Sequence, residues 1–221
     1  MATTKQEMDS KLAPGEARSR GKQIQDLLDD ETVEVPWQLR DADYTYLGSE
    51  PLDRNHYISQ EWCDKETENL WSRVWQLACF EQDIPEVGDH IVYDIVDWSF
   101  ILVRTEPDTI KAFYNSCLHR GRRLCTNELE SANKPEFRCP FHGITWNVNG
   151  SLKAIPPSIE FDFPHVDKDE FSLPEVRCER WDGFVFINID DDAEPLMDFL
   201  GDITKHFERW PFANRWKATH S

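Results

Sequence analysis

From Trp75 onward the chain is written in short β-rich runs separated by turn residues. They are Trp75–Cys79, His90–Val96, Ser99–Arg104, Ile110–Asn115, Phe137–Arg138, Ile144–Val148, Leu152–Ile155, Val176–Cys178 and Phe184–Ile189. Asn149-Gly150 between two of them is a strong hairpin signal. Strands this short and this closely spaced predict a mainly β architecture, an antiparallel sandwich or barrel, rather than a βαβ sheet. Two helical patterns flank the body. Ser59 reads as the N-cap of a helix running through Trp62, Leu70, Trp71, Val74 and Trp75. Leu196, Phe199, Leu200, Ile203 and Phe207 predict an amphipathic helix from Pro195 to Trp210. Ahead of both, residues 1–50 are polar, with Pro14-Gly15 and one stripe at Ile24, Leu27 and Leu28. They are expected to form an arm with a short helix lying on its own domain or assembly. The predicted division is an arm over 1–50, a β-rich domain over 51–193 and a C-terminal helical segment over 194–221.

Composition supports a folded core, because 39% of the 221 residues are apolar, with nine Trp and thirteen Phe. Forty-two acidic against twenty-four basic residues give a net charge of −18, which argues against nucleic acid and anionic membrane surfaces as partners. The longest apolar runs, Phe100–Val103 and Phe184–Ile187, fall far short of the roughly 20 residues that cross a bilayer, and Met1 leads into no signal-peptide core. A cytoplasmic setting is therefore expected. In that setting the six cysteines, Cys63, Cys79, Cys117, Cys125, Cys139 and Cys178, are expected to be reduced, which makes metal binding or plain burial their reading.

Four residues carry candidate chemistry. Cys117-Leu118-His119 and Cys139-Pro140-Phe141-His142 form a C-x-H…C-x-x-H pattern with nineteen positions between, residues 120–138. Two thiolates and two imidazoles make a soft donor set that suits either a tetrahedral zinc or a Rieske-type [2Fe-2S] cluster, in which both Cys bind one iron and both His the other. Zinc fingers usually pair Cys with Cys and His with His. Here each segment offers one of each, so each can reach both irons, and the cluster is favoured. Gly121 and Gly143 permit tight turns that bring backbone amides toward sulfur.

Cys117-Leu118-His119-Arg120-Gly121, Leu124-Cys125 and Cys139-Pro140-Phe141-His142-Gly143 resemble the N-terminal Rieske domain of the large (α) subunit of aromatic-ring-hydroxylating oxygenases. Val74-Trp75-Gln76, Ile84-Pro85, Gly88-Asp89 and Asp182-Gly183-Phe184-Val185-Phe186 agree with similar runs in such subunits, and the resemblance covers most of residues 35–221. Ile144 departs from it, since many members carry an aromatic there. The resemblance implies a Rieske-type antiparallel β-sandwich with a two-loop cluster-binding subdomain and a [2Fe-2S] cluster held by Cys117, His119, Cys139 and His142. Electrons would enter from a ferredoxin or flavin reductase and pass to a mononuclear Fe(II) that activates O₂. It also implies trimers of α, with or without a β subunit, in which His119 and His142 face a carboxylate of the neighbour. Respiratory-type Rieske proteins carry an extra Cys in each cluster loop, where this chain has Arg122 and Phe141, so a potential at the low end of the class range of about −150 to +300 mV is expected. A stand-alone Rieske ferredoxin is the alternative, disfavoured by the extra segments at both ends.

The facial triad of two His and one carboxylate that an Fe(II) oxygenase needs has no candidate among His56, His90, His165, His206 and His220. Arg215-Trp216-Lys217-Ala218 resembles the first strand of the family's catalytic domain, so the oxygen-activating iron is expected in a domain beyond Ser221. Around the cluster motif, residues 111–140 hold Lys111, Arg120, Arg122, Arg123, Lys134 and Arg138 against Glu128, Glu130 and Glu136. This local basic excess reads as either a cationic collar or a solvated rim. Cys125, Cys63, Cys79 and Cys178 read as buried structural thiols, and Trp146 as either a wall of the cluster or ordinary core.

Overall fold

The computed structural model describes residues 24–40, 51–126, 132–160, 163, 166–167 and 170–215. Within them lie ten strands: β1 Gln76–Phe80, β2 Asp89–Ile95, β3 Trp98–Glu106, β4 Thr109–Tyr114, β5 Ala132–Asn133, β6 Glu136–Arg138, β7 Thr145–Asn147, β8 Leu152–Ala154, β9 Glu175–Trp181 and β10 Phe184–Asn188. Each of the nine expected runs falls on a strand, and the two-residue β5 is the addition. The strands form a seven-stranded sheet ordered β1-β10-β9-β4-β3-β2-β5 and a three-stranded sheet ordered β6-β7-β8. Every pairing is antiparallel. The expected antiparallel sandwich is what the chain forms.

The central strand β3 explains how the layers are held. Phe100, Ile101, Leu102 and Val103 are all fully buried, although alternate side chains of a strand point to opposite faces. Ile101 and Val103 join Val92, Phe113, Phe137, Ile144 and Trp146 in a core shared by the large and small sheets. Phe100 and Leu102 turn the other way and pack with Ile84, Ile91, Ile110, Val176, Val185 and Ile187. The unbroken apolar run in β3 is thus a strand with a core on each face.

Turn chemistry fixes the register of the small sheet. The β7–β8 connection places Gly150 at φ +85, and Asn149 Oδ1 accepts from the Ser151 backbone N–H (3.1 Å) and hydroxyl (2.7 Å). Any side chain at position 150 would also strike the core, because an added Cβ would lie 2.5 Å from Cε1 of the buried Phe113.

Both helical expectations need correction. The helix after Ser59 does start there, with Ser59 Oγ accepting from Trp62 N–H at 3.4 Å. It runs over Gln60–Glu66 and closes with a π turn, Thr67–Trp71, leaving Val74 and Trp75 outside. Trp75 instead precedes β1, buried, with its indole N–H donating to the Glu194 carbonyl at 2.9 Å. The single helix expected over 195–210 is two, Leu196–Leu200 and Ile203–Phe207, because Gly201 adopts φ 50, ψ −128, a conformation no helix contains.

The arm's helical stripe does form a helix, Ile24–Asp29, but Ile24 remains 72% exposed. Leu28, Val33 and Val35 line a groove with Lys205, His206 and Trp210, and Glu31 pairs with Arg209 at 2.8 Å, so the arm lies against the C-terminal helices. Pro14-Gly15 lies outside the described residues. The β9–β10 turn holds the far end of the chain. Asp182, at φ 47, accepts from the Phe212 and Ala213 backbone N–H groups at 2.6 and 3.1 Å, and Phe212 packs on Trp181 and Phe184.

Gly150→Ala combines a left-handed backbone penalty with overpacking against Phe113, and is expected to lower unfolding free energy by about 2–5 kcal/mol. Urea titration followed by tryptophan fluorescence checks this; a loss below about 1 kcal/mol would contradict the close contact.

Candidate metal centre

The four motif residues occupy two turns of the same construction. In the first, Cys117 N–H donates to Arg122 C=O (2.8 Å) and Gly121 N–H to Cys117 C=O (2.9 Å). In the second, Cys139 N–H donates to Ile144 C=O (2.8 Å) and Gly143 N–H to Cys139 C=O (3.0 Å). Each turn ends on a glycine in the left-handed region, Gly121 at φ +69 and Gly143 at φ +82, which accounts for both glycines of the motif. The frames match residue for residue from Cys to Gly. Only the histidine shifts, from the second position after Cys117 to the third after Cys139.

This arrangement sorts the donors by type. Cys117 and Cys139 are buried, and their thiols lie within hydrogen-bonding reach of each other. The rings of His119 and His142 are neighbours, with centroids 4.8 Å apart. Burial pushes the Cys117 thiol above its ordinary value and the adjoining Cys139 thiol adds to this, while the backbone amides of His119 and Arg120 point at the sulfur and oppose it. Among the described residues, no three His, Cys, Asp or Glu side chains close on a single-ion site. A thiol pair beside an imidazole pair fits a two-iron cluster, in which sulfur ligands serve one metal and nitrogen ligands the other.

Surrounding groups shape access. Phe141 lies tilted against His142, ring centroids 3.9 Å apart, and is 60% exposed, whereas Phe163 meets His119 edge-on at 5.2 Å and continues through Phe171 to Trp146. Trp146 is fully buried, and its indole N–H donates to Phe171 C=O at 2.9 Å. It is a core residue that braces the cover over the first turn. Arg138 lies beneath the second turn, its guanidinium 3.3–3.4 Å from where a Gly143 Cβ would stand. Of the six basic residues around the motif, Lys111 is paired with Glu175 and Arg123 with Asp94, while Arg120, Arg122, Phe141 and Pro140 line one shallow cleft beside the turns.

The other candidates lie elsewhere. Cys79 and Cys125 are buried, and Cys63 and Cys178 are half-buried. His56 stacks on Trp62, His90 is buried against Phe137, and His206 packs on Phe207 and Trp210. His165, His220, Glu128 and Glu130 lie outside the described residues. Asn115, which the sequence did not single out, is buried behind the first turn and hydrogen-bonds to Ser99, Leu124 and Cys125.

Residues 74–165 match the family described as the Rieske [2Fe-2S] domain. The chain is 32% identical over 165 residues to biphenyl 2,3-dioxygenase subunit alpha of Rhodococcus jostii (strain RHA1), covering 73% of this chain and 35% of that protein. It is also 32% identical over 144 residues to the carnitine monooxygenase oxygenase subunit of Escherichia coli (strain K12), covering 65% and 37%. Among solved structures, naphthalene 1,2-dioxygenase from Rhodococcus sp. with bound indole superposes with TM-score 0.62 at 32% identity over 67% of this chain and 33% of that one. A quaternary ammonium Rieske monooxygenase superposes with TM-score 0.63 at 26% identity over 71% and 44%. The chain spans little more than a third of the length of these curated relatives.

Two of the remaining thiols carry a sharp expectation. Burial pushes Cys125 up to about 11 and Cys178 up to about 12, from an ordinary 9.0. Iodoacetamide at pH 8 should therefore modify Cys125 at least about 100-fold more slowly in the native protein than in urea, since two pKa units alone remove that much thiolate. The folded pKa is raised, so the thiol's stabilising preference is complete below pH 9 and is lost as pH climbs toward 11. Unfolding free energy should fall over that window by up to about 1.4 kcal/mol per pH unit from Cys125. Peptide mapping and urea titrations from pH 8 to 11 measure both, and equal labelling in the two states would refute the burial argument.

Proposed function

We propose, starting from a chain whose residues 74–165 form a Rieske [2Fe-2S] domain, that Cys117, Cys139, His119 and His142 are the cluster ligands and that the domain serves as the electron-entry module of a ring-hydroxylating oxygenase. The observation that carries the ligand assignment is the pair of matched turns, which bring two buried thiols together and set two imidazoles side by side. When bound, the cluster supplies reversible one-electron transfer. The residues around it do the rest. The amides of His119 and Arg120 stabilise sulfur in its anionic form. Phe163, Phe171 and Trp146 exclude water on the His119 side, and the His142 side stays open beside the exposed Phe141.

In this reading a ferredoxin or flavin reductase delivers electrons singly, and they pass to a mononuclear non-haem iron that activates O₂ toward an aromatic or related hydrophobic substrate. That iron belongs to a catalytic domain outside these residues, on a neighbouring α subunit of a trimer with or without β subunits. Support comes from the relatives, which are dioxygenase and monooxygenase subunits roughly twice this length. Residues 51–193 are taken as the Rieske domain, 1–50 as its arm and 194–221 as the link toward the catalytic domain. No helix among the described residues is long and apolar enough to cross a membrane. A cytoplasmic setting, in which cysteines stay reduced, is part of this reading.

Reconstituted protein should hold two iron and two acid-labile sulfide per chain and give a Rieske-type EPR signal on reduction. Cys139→Ala and His142→Ala should each remove the signal, while His206→Ala, whose ring packs on Phe207 and Trp210, should keep it. Stoichiometric zinc without iron in anaerobically prepared protein would overturn the assignment.

A further inference from the structure

The two turns are alike, but their necks are closed by different means. The second grows out of a hairpin in which Arg138 pairs with Thr145 in the β6–β7 ladder, so backbone hydrogen bonds hold its ends at strand spacing. The first begins where β4 stops, at Tyr114, and residues 121–126 belong to no strand. The side chain of Asn115 occupies the place of the missing ladder.

Asn115 is buried, and its amide is fully used. Oδ1 accepts from the Leu124 and Cys125 backbone N–H groups, both at 2.9 Å. Nδ2 donates to Cys125 C=O at 2.8 Å and to Ser99 Oγ at 3.0 Å, while Asn115 N–H donates to Ser99 C=O at 2.9 Å. Engaging both the N–H and the C=O of Cys125 reproduces what a partner residue does in a hydrogen-bonded antiparallel pair. Leu124 and Cys125 are themselves buried, so no water stands ready to replace the amide.

We infer that Asn115 is the positioning residue of the first cluster turn: its side-chain amide substitutes for a β-ladder rung, anchors the turn to β3 through Ser99, and sets Cys117 and His119 against Cys139 and His142. The inference rests on the proposed reading of those four residues as ligands. It assigns cluster retention to a residue that touches no ligand atom.

The test is release of iron from the cluster-loaded full chain to an excess of chelator, followed by loss of visible absorbance. Asn115→Leu, close in size but without the amide, should speed release at least tenfold. Ile110→Ala, in the opposite core, should stay within about threefold of wild type when the two variants are compared at urea concentrations giving equal unfolding free energy. Asn115→Asp keeps the shared acceptor and should fall between Asn115→Leu and wild type. Ser99→Ala should speed release in the wild-type background and add nothing to Asn115→Leu, because the two act through one anchor. Equal release from Asn115→Leu and Ile110→Ala, or additive effects of Ser99→Ala and Asn115→Leu, would overturn the inference. Should Asn115→Leu not fold, wild-type release from both Asn115→Asp and Ser99→Ala would do the same. A wild-type chain that takes up no cluster overturns the ligand assignment and this inference together, whereas a stable wild-type cluster with indifferent variants overturns only the latter.

Discussion

The cluster end of the molecule depends on one geometric constraint: donors separated by nineteen positions in sequence must be presented at a single place without the help of a shared strand. The chain meets it by using the same turn twice, each closed by a hydrogen bond from the Cys N–H to the residue five positions on and by a left-handed glycine. A turn of this kind directs its first side chain and several amides toward the same side. Burying a thiolate is therefore compensated by dipoles from its own loop. The one-residue offset of the histidines within otherwise equal frames keeps the two rings adjacent while the thiols meet.

Those turns can be rigid only because the sheet behind them is. β3 contributes to two cores at once, and the core on the cluster side contains Cys117, Cys125 and Cys139 together with Val92, Ile101 and Phe137. Cys117 and Cys139, the proposed sulfur ligands, are thus part of the hydrophobic packing that joins the large and small sheets. Any loosening of that packing reaches the site directly, since close-packed interiors transmit small displacements.

Much of this was legible in the sequence, for identifiable reasons. Alternation and turn residues marked nine of the ten described strands, because each was long enough to show a period or was bounded by a turn signal. Ala132–Asn133 is too short to show a period. The four motif residues stood out by type and spacing alone. Helix length is less legible, since apolar spacing persists through Gly201 while the backbone there leaves the helical region. Trp75 continues the helical stripe in sequence, yet it lies just ahead of β1 with its indole bound to the Glu194 carbonyl. Asn115 was invisible for a different reason: its partners Leu124 and Cys125 lie nine and ten residues away with no pattern linking them. A polar residue at a strand end is ordinarily just a turn residue, and only the three-dimensional neck of the loop gives it a task.

The length of β9 separates the two turns from the last described residues. Strand β9 starts at Glu175, paired with Phe113 near the end of β4 from which the first cluster turn departs, and finishes at Trp181 beside the Asp182-Gly183 turn. Six residue steps at about 3.3 Å put these ends roughly 20 Å apart. Asp182 fixes the Phe212–Asn214 turn at the distal end, and the Gln82 side chain donates to the Arg215 carbonyl there. Residue 215 is therefore held at the end of β9 remote from the first turn, while Phe141 beside His142 is 60% exposed.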